Sequence, residues 1–207
     1  MSLLRTDDQE VLLAAVSEMM TGQVAPQVAA HDQAGECPRE FFAPAFEMGL
    51  HMLEVPEEFG GAGLDFQTAA MVFEEIAKAD AGYAISLMAS FVAFRNVRES
   101  SSPEQVRLFA DRLAPGGFAA FALSEAGAGS DIGAMTTAAV REGEDYVITG
   151  AKAWITNAAW ADLFVVLAKT DPAAGSKGVS CFLVEADRPG LSVGHHEDKL
   201  GLRLSNT

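Results

Sequence analysis

Two short segments hold the residues whose types and spacing could do chemistry: Phe121 to Asp131, FALSEAGAGSD, and Trp154-Ile155-Thr156-Asn157 further along. The first ends an apolar run on Ser124 and Glu125, then turns through Gly127 and Gly129 to Ser130. Glycines let backbone N–H groups come close to a ligand, and the Ser130 hydroxyl adds a donor. Such a set suits a pyrophosphate or a flavin edge. The second segment places a flat indole two residues before a hydroxyl, able to stack on a planar ring and bond its heteroatoms. Taken singly, each has a plain structural account: a glycine turn between strands, and a buried core tryptophan. Together, in this order, they point to one ligand surface.

Other chemistries fit less well. A dinucleotide fingerprint needs G-x-G-x-x-G between a strand and a helix, but Ile132 stands at the third glycine position and Gly133 comes one residue late. The residues after it, Thr136 to Arg141 and Asp145 to Ile155, are rich in Thr, Val, Ile and aromatics and read as strands rather than a crossover helix. His31 and His51 sit beside loops and His195-His196 lie in a polar turn, with no third ligand spaced for zinc. Only Cys37 and Cys181 are present, which favours a reduced, intracellular and cytoplasmic protein.

The elements that must position these segments divide at Gly116-Gly117. Residues 1–116 read as helices. Asp7 or Asp8 can cap a first helix bearing Leu12, Val16, Met19, Met20 and Val24 on one face, and Pro38 opens a short second one ending near Gly49. Glu54 to Asp65, with Pro56 and three glycines, is a loop. Asp65 caps the next helix, with Ala69, Val72, Phe73, Ile76 and Ala77 on one face. Gly82 precedes an apolar helix through Phe94, and Ser102-Pro103 opens one that stops at Pro115. Residues 117–207 turn to Val, Thr, Phe and Ile runs split by Glu-Gly, Pro-Ala-Ala-Gly and Pro-Gly turns. The chain is therefore α+β in class, helices first and a β-domain after. Its 207 residues, 49% hydrophobic, can bury a real core. Fourteen basic against 29 acidic residues give a formal charge of −15, which disfavours nucleic acid and anionic membranes. No apolar run reaches membrane-spanning length, and the N-terminus lacks a signal-peptide layout.

The two segments resemble those of the acyl-CoA dehydrogenase family of flavoproteins: FALSEAGAGSD is similar to its flavin loop, and Lys152 to Asn157 (KAWITN) to its second flavin segment. Val55 to Asp65 (VPEEFGGAGLD), Glu74 to Ala77, Asp145 to Gly150 (DYVITG), Pro189-Gly190-Leu191 and Lys199 to Thr207 (KLGLRLSNT) continue the likeness in family order. Phe121 stands where several members carry Tyr, Ser124 where Thr is common, and Ala126 where Pro is frequent. The resemblance implies an N-terminal all-α domain followed by a middle β-barrel domain that is incomplete at its C-terminal end, because members are roughly twice as long. It implies FAD held by Phe121, Leu123, Ser124, Gly127, Gly129, Ser130, Trp154, Ile155 and Thr156. In that scheme backbone N–H groups near Leu123 and Ser124 face the pyrimidine edge, Ser130 and the glycines hold the pyrophosphate, Trp154 packs on the ring, and Thr156 bonds near N5.

The reaction so implied is α,β-dehydrogenation of an acyl-CoA thioester, with electrons passing to an electron-transfer flavoprotein and a homodimer or homotetramer as the assembly. Ser130 is placed near the acyl-CoA. Leu87, Met88, Phe91 and Val92 could line an acyl-tail pocket, although at helical spacing they also read as plain core. Glu125 is tempting as a base but fits better as a residue that fixes the loop. The family's base is expected beyond residue 207. Two other readings stand beside this one: an acyl-CoA oxidase handing electrons to oxygen, and a non-catalytic FAD- or acyl-CoA-binding subunit or fragment.

Overall fold

The computed structural model of the chain describes residues 5–207. Helix α1 (Asp7–Met19) starts on a capping box in which Thr6 Oγ1 accepts from Gln9 N and Gln9 Oε1 accepts from Thr6 N, at 3.2 and 3.0 Å. Thr6 is thus the cap. Asp7 and Asp8, expected there, occupy the first turn, where their charge complements the helix dipole. The helical path does not end at Val24. A single π turn, Met20–Val24, leads into α2 (Ala25–Ala34), placing Pro26 at a helix start, where a missing N–H costs nothing. Gly35, at φ 74°, closes α2.

Pro38 precedes a 3₁₀ turn, Arg39–Phe42, and the short α3 (Ala43–Glu47). The loop from Glu54 to Asp65 leaves no room at Gly61, where a Cβ would lie 2.0 Å from the Val55 carbonyl oxygen. Asp65 caps α4 (Phe66–Ala79) by accepting from Thr68 N at 2.7 Å, and Asp80 caps α5 (Ala81–Ser100) by accepting from Tyr83 N at 2.6 Å. Helix α5 therefore runs past Phe94, and Gly82 lies inside its first turn rather than ahead of it. A Cβ at Gly82 would meet the Leu202 carbonyl carbon at 3.0 Å, so the glycine admits the 202–204 backbone. Helix α6 (Pro103–Leu113) opens on a second capping box, Ser102 with Gln105.

Strand β1 (Phe118–Ala122) pairs in parallel with β4 (Ala161–Lys169), and β4 pairs antiparallel with β5 (Val179–Glu185). A hairpin of β2 (Ala138–Glu142) and β3 (Asp145–Thr149) joins β4 through Ala138 and Lys169, completing a five-stranded sheet among the described residues. The strand expected to run to Ile155 stops at Thr149. Gly150 there passes so close to β2 that a Cβ would lie 2.4 Å from Thr137 Oγ1, and the chain then leaves the ladder.

Helices and sheet share their core. Phe42 stacks on Tyr83 with centroids 4.2 Å apart, and Phe118, the first residue of β1, meets Phe42 edge-on at 5.1 Å; all three are fully buried. Polar groups also cross the boundary. The buried Ser90 hydroxyl on α5 accepts from Ala119 N at 3.0 Å and donates to Ala119 O at 3.4 Å, so the helix takes the place of a neighbouring strand. Among the described residues no helix is long and apolar enough to cross a membrane.

Candidate functional site

Strand β1 delivers Leu123 and Ser124 to the sheet's edge, where the two sequence segments are clamped together. Ser124 O accepts from Ala153 N at 2.9 Å, and Lys152 Nζ donates to Leu123 O at 3.0 Å and to Glu125 Oε1 at 2.9 Å. Glu125, 4% exposed, also accepts from Thr136 N and Thr136 Oγ1, each at 2.7 Å, and from Thr137 N at 3.0 Å. Burial alone would raise its pKa. Hydrogen bonds from Thr137, Thr136 and Lys152 outweigh that and hold the carboxyl well below the usual carboxylate range. A carboxylate so firmly ionised and fully bonded is a poor proton acceptor. Its work is to fix the loop.

From that anchor the chain folds back in a tight turn, with Glu125 and Ala128 exchanging both backbone hydrogen bonds at 3.0 Å. Gly127 and Gly129 lie on the outer side. Neither has a positive φ, and a Cβ on either would meet nothing within 4 Å, so no contact inside the chain demands glycine there. Among the described residues, the backbone N–H groups of Leu123, Ser124, Gly127, Gly129 and Ser130 donate to no protein acceptor. The same holds for Trp154, Ile155 and Thr156. Ser130 is exposed, and Phe121 is partly buried against the cluster that joins α6 to the sheet.

Trp154 is the least expected residue. It is 58% exposed, not core, and sits at φ 58°, a left-handed conformation unusual for a bulky residue. Such strain persists only where the surroundings enforce it, and it gathers at functional sites. Ile155, by contrast, turns inward and joins Ala120, Ala122, Ala161 and Phe164 in a core cluster, leaving only its backbone to the site. Thr156 is half-buried beside it.

The residues expected to line an acyl-tail pocket are divided by the fold. Leu87 and Phe91, 0% and 2% exposed, belong to the core of the helical layer, where Phe91 meets Phe73 edge-on. Met88 is 37% exposed and Val92 is half-buried. His51 packs against Phe46 at 4.9 Å, its pKa lowered by burial, and His31 rests on Phe41 at 4.5 Å. Sequence reasoning missed the clamp itself. Lys152, Thr136 and Thr137 meet Glu125 across separations with no local period, and only opposite charges in the two segments hinted at a pair.

Residues 6–117 match the model of the acyl-CoA dehydrogenase N-terminal domain, and residues 120–207 that of the middle domain. The chain belongs to the acyl-CoA dehydrogenase family. A short/branched chain specific acyl-CoA dehydrogenase of Bos taurus, named as mitochondrial, is 38% identical over 203 residues, covering 98% of this chain and 47% of that one. The fold matches butyryl-CoA dehydrogenase from Megasphaera elsdenii with a TM-score of 0.92 at 30% identity, covering 100% of this chain and 55% of that one. It matches an FAD complex of PigA with a TM-score of 0.91 at 29% identity, again covering 100% and 55%. The chain thus spans about half the length of the curated acyl-CoA dehydrogenases it matches.

Proposed function

We propose that this chain carries the FAD-facing wall, and part of the acyl-CoA-facing wall, of an enzyme that dehydrogenates an acyl-CoA thioester between its α and β carbons. One observation carries the reading: an exposed, conformationally strained Trp154 is clamped beside two stretches of backbone N–H groups without acceptors among the described residues. The donor set fits FAD, which combines a planar apolar ring bearing acceptor atoms with an anionic pyrophosphate. Leu123 and Ser124 N–H groups would face the ring's pyrimidine edge, Gly127, Gly129 and Ser130 the pyrophosphate, and Trp154 the ring, with the Thr156 hydroxyl directed to its central nitrogen. Bound FAD supplies a hydride acceptor.

The protein's own part is to bind, orient and exclude water. A base for the α-proton needs a carboxylate free of strong donors in a dry site. Glu125 is locked by Lys152 and two threonines, Glu54 is paired with Arg95, and Asp131 is exposed. In this reading the base lies beyond residue 207, as the family resemblance implies. Ser130, exposed on the loop's outer side, is the residue proposed for acyl-CoA, and Met88, with Leu87 and Phe91 behind it on α5, for the acyl tail. An electron-transfer flavoprotein as acceptor, a homodimeric or homotetrameric assembly and a cytoplasmic setting belong to the same proposal. They rest on family likeness and on two free cysteines.

The test is turnover. Residues 1–207 alone should show no acyl-CoA dehydrogenation with an artificial electron acceptor, whereas the full-length gene product should show it. Turnover by residues 1–207, abolished on changing one of their own acids, would place the base here and sink this assignment.

A further inference from the structure

Asn157 follows the exposed tryptophan segment directly, yet it is completely buried, with a left-handed φ of 69°. Its Nδ2 donates to Ser86 O on α5 at 2.7 Å and to Ala119 O on β1 at 3.2 Å. Its own N–H donates to Asn206 O at 2.8 Å, and its carbonyl accepts from Trp160 N and Ala161 N, each at 2.8 Å. One residue thus gathers α5, β1, the start of β4 and the 199–207 segment. The side-chain amide can point only one way. Flipped, its oxygen would face two carbonyl oxygens; as placed, Oδ1 is buried without a partner.

We propose that Asn157 is a positioning residue for the site, setting the pose of Trp154-Ile155-Thr156 from the helical domain through Ser86. Trp154 holds its strained conformation between two fixed points. One is Ala153, bonded to Ser124; the other is Asn157, whose amide is the only side chain of the 154–157 segment with a hydrogen bond to another element among the described residues. Few residues can fill this position. Asparagine tolerates a left-handed φ and brings two donors. Aspartate keeps the shape but puts an acceptor against two acceptors, and glycine keeps the backbone but loses both bonds. Helix α5 also carries Ser90, bonded to Ala119, so the helix bears on the site through two buried polar contacts.

This inference rests on the FAD reading for its affinity arm, so the test has a second arm independent of cofactor. In the full-length protein labelled with 5-fluorotryptophan, the Trp154 resonance is assigned by Trp154→Phe. In the apo form, Asn157→Asp should shift and broaden that resonance, and Asn157→Gly should move it less. FAD affinity should fall roughly tenfold or more for Asn157→Asp and about threefold for Asn157→Gly, as expected for a buried acceptor left facing acceptors against a merely missing bond. A general fold defect would lower the melting temperature without singling out Trp154. An unmoved Trp154 resonance in folded Asn157→Asp protein, with unchanged FAD affinity, would overturn the proposal. A wild-type protein that binds no FAD would overturn the FAD reading alone, and the resonance would still decide the role of Asn157.

Discussion

Glu125 and Lys152 show how much of the site depends on one buried pair. Glu125 is held ionised, so its contribution to stability is complete above the ordinary carboxylate range and declines as pH falls through that range toward its lower folded value. Glu125→Gln should therefore destabilise the fold by about 3 kcal/mol near neutral pH, leaving Lys152 without its counter-charge. Thermal melts should show that difference shrinking below pH of about 4.5, the reference carboxyl value. A difference that grows on acidification would contradict the assignment. Trp154 gives the complementary case. With the residue 58% exposed, Trp154→Ala should cost little stability yet weaken FAD retention and alter the flavin absorption band. The glycine loop and the Trp segment were legible in the sequence because their chemistry is local. Whether the tryptophan was core or surface was not, because exposure depends on which neighbours the fold supplies.

At the scale of elements, capping chemistry was readable where side chain and backbone are neighbours. Asp65 and Ser102 cap as their positions in sequence imply, while Thr6 displaces Asp7 and Asp8 because it alone stands three residues before Gln9. The joint between α5 and β1 was not readable, since Ser90 looks like any serine on an apolar helix. Its hydroxyl serves both polar groups of Ala119. Ser90→Ala should cost about 2 kcal/mol by leaving a buried N–H unpaired. For a chain of this size that means a melting temperature lower by about 5 °C, measurable by circular dichroism. A neutral Ser90→Ala would mean that water or another acceptor takes the Ala119 N–H. The early end of β3 has a similar cause: Gly150 meets Thr137 across the hairpin, a contact no single-strand pattern encodes.

Across the whole molecule, the order of helices before strands followed from the change in composition near Gly116: the last helix ends at Leu113 and the first strand starts at Phe118. The meeting of the two segments did not follow from sequence. It depends on β1 running parallel to β4, with a hairpin rather than a helix making the crossover between them. That arrangement brings Leu123 beside Lys152 and Ser124 beside Ala153. FAD held between these two segments is what the proposed site requires. The most direct measurement is to purify the full-length gene product without added cofactor, denature it and identify what is released. A yellow protein releasing FAD in near-stoichiometric amount is the predicted result. A colourless protein that binds no added FAD, or one that releases a nicotinamide dinucleotide instead, would contradict it.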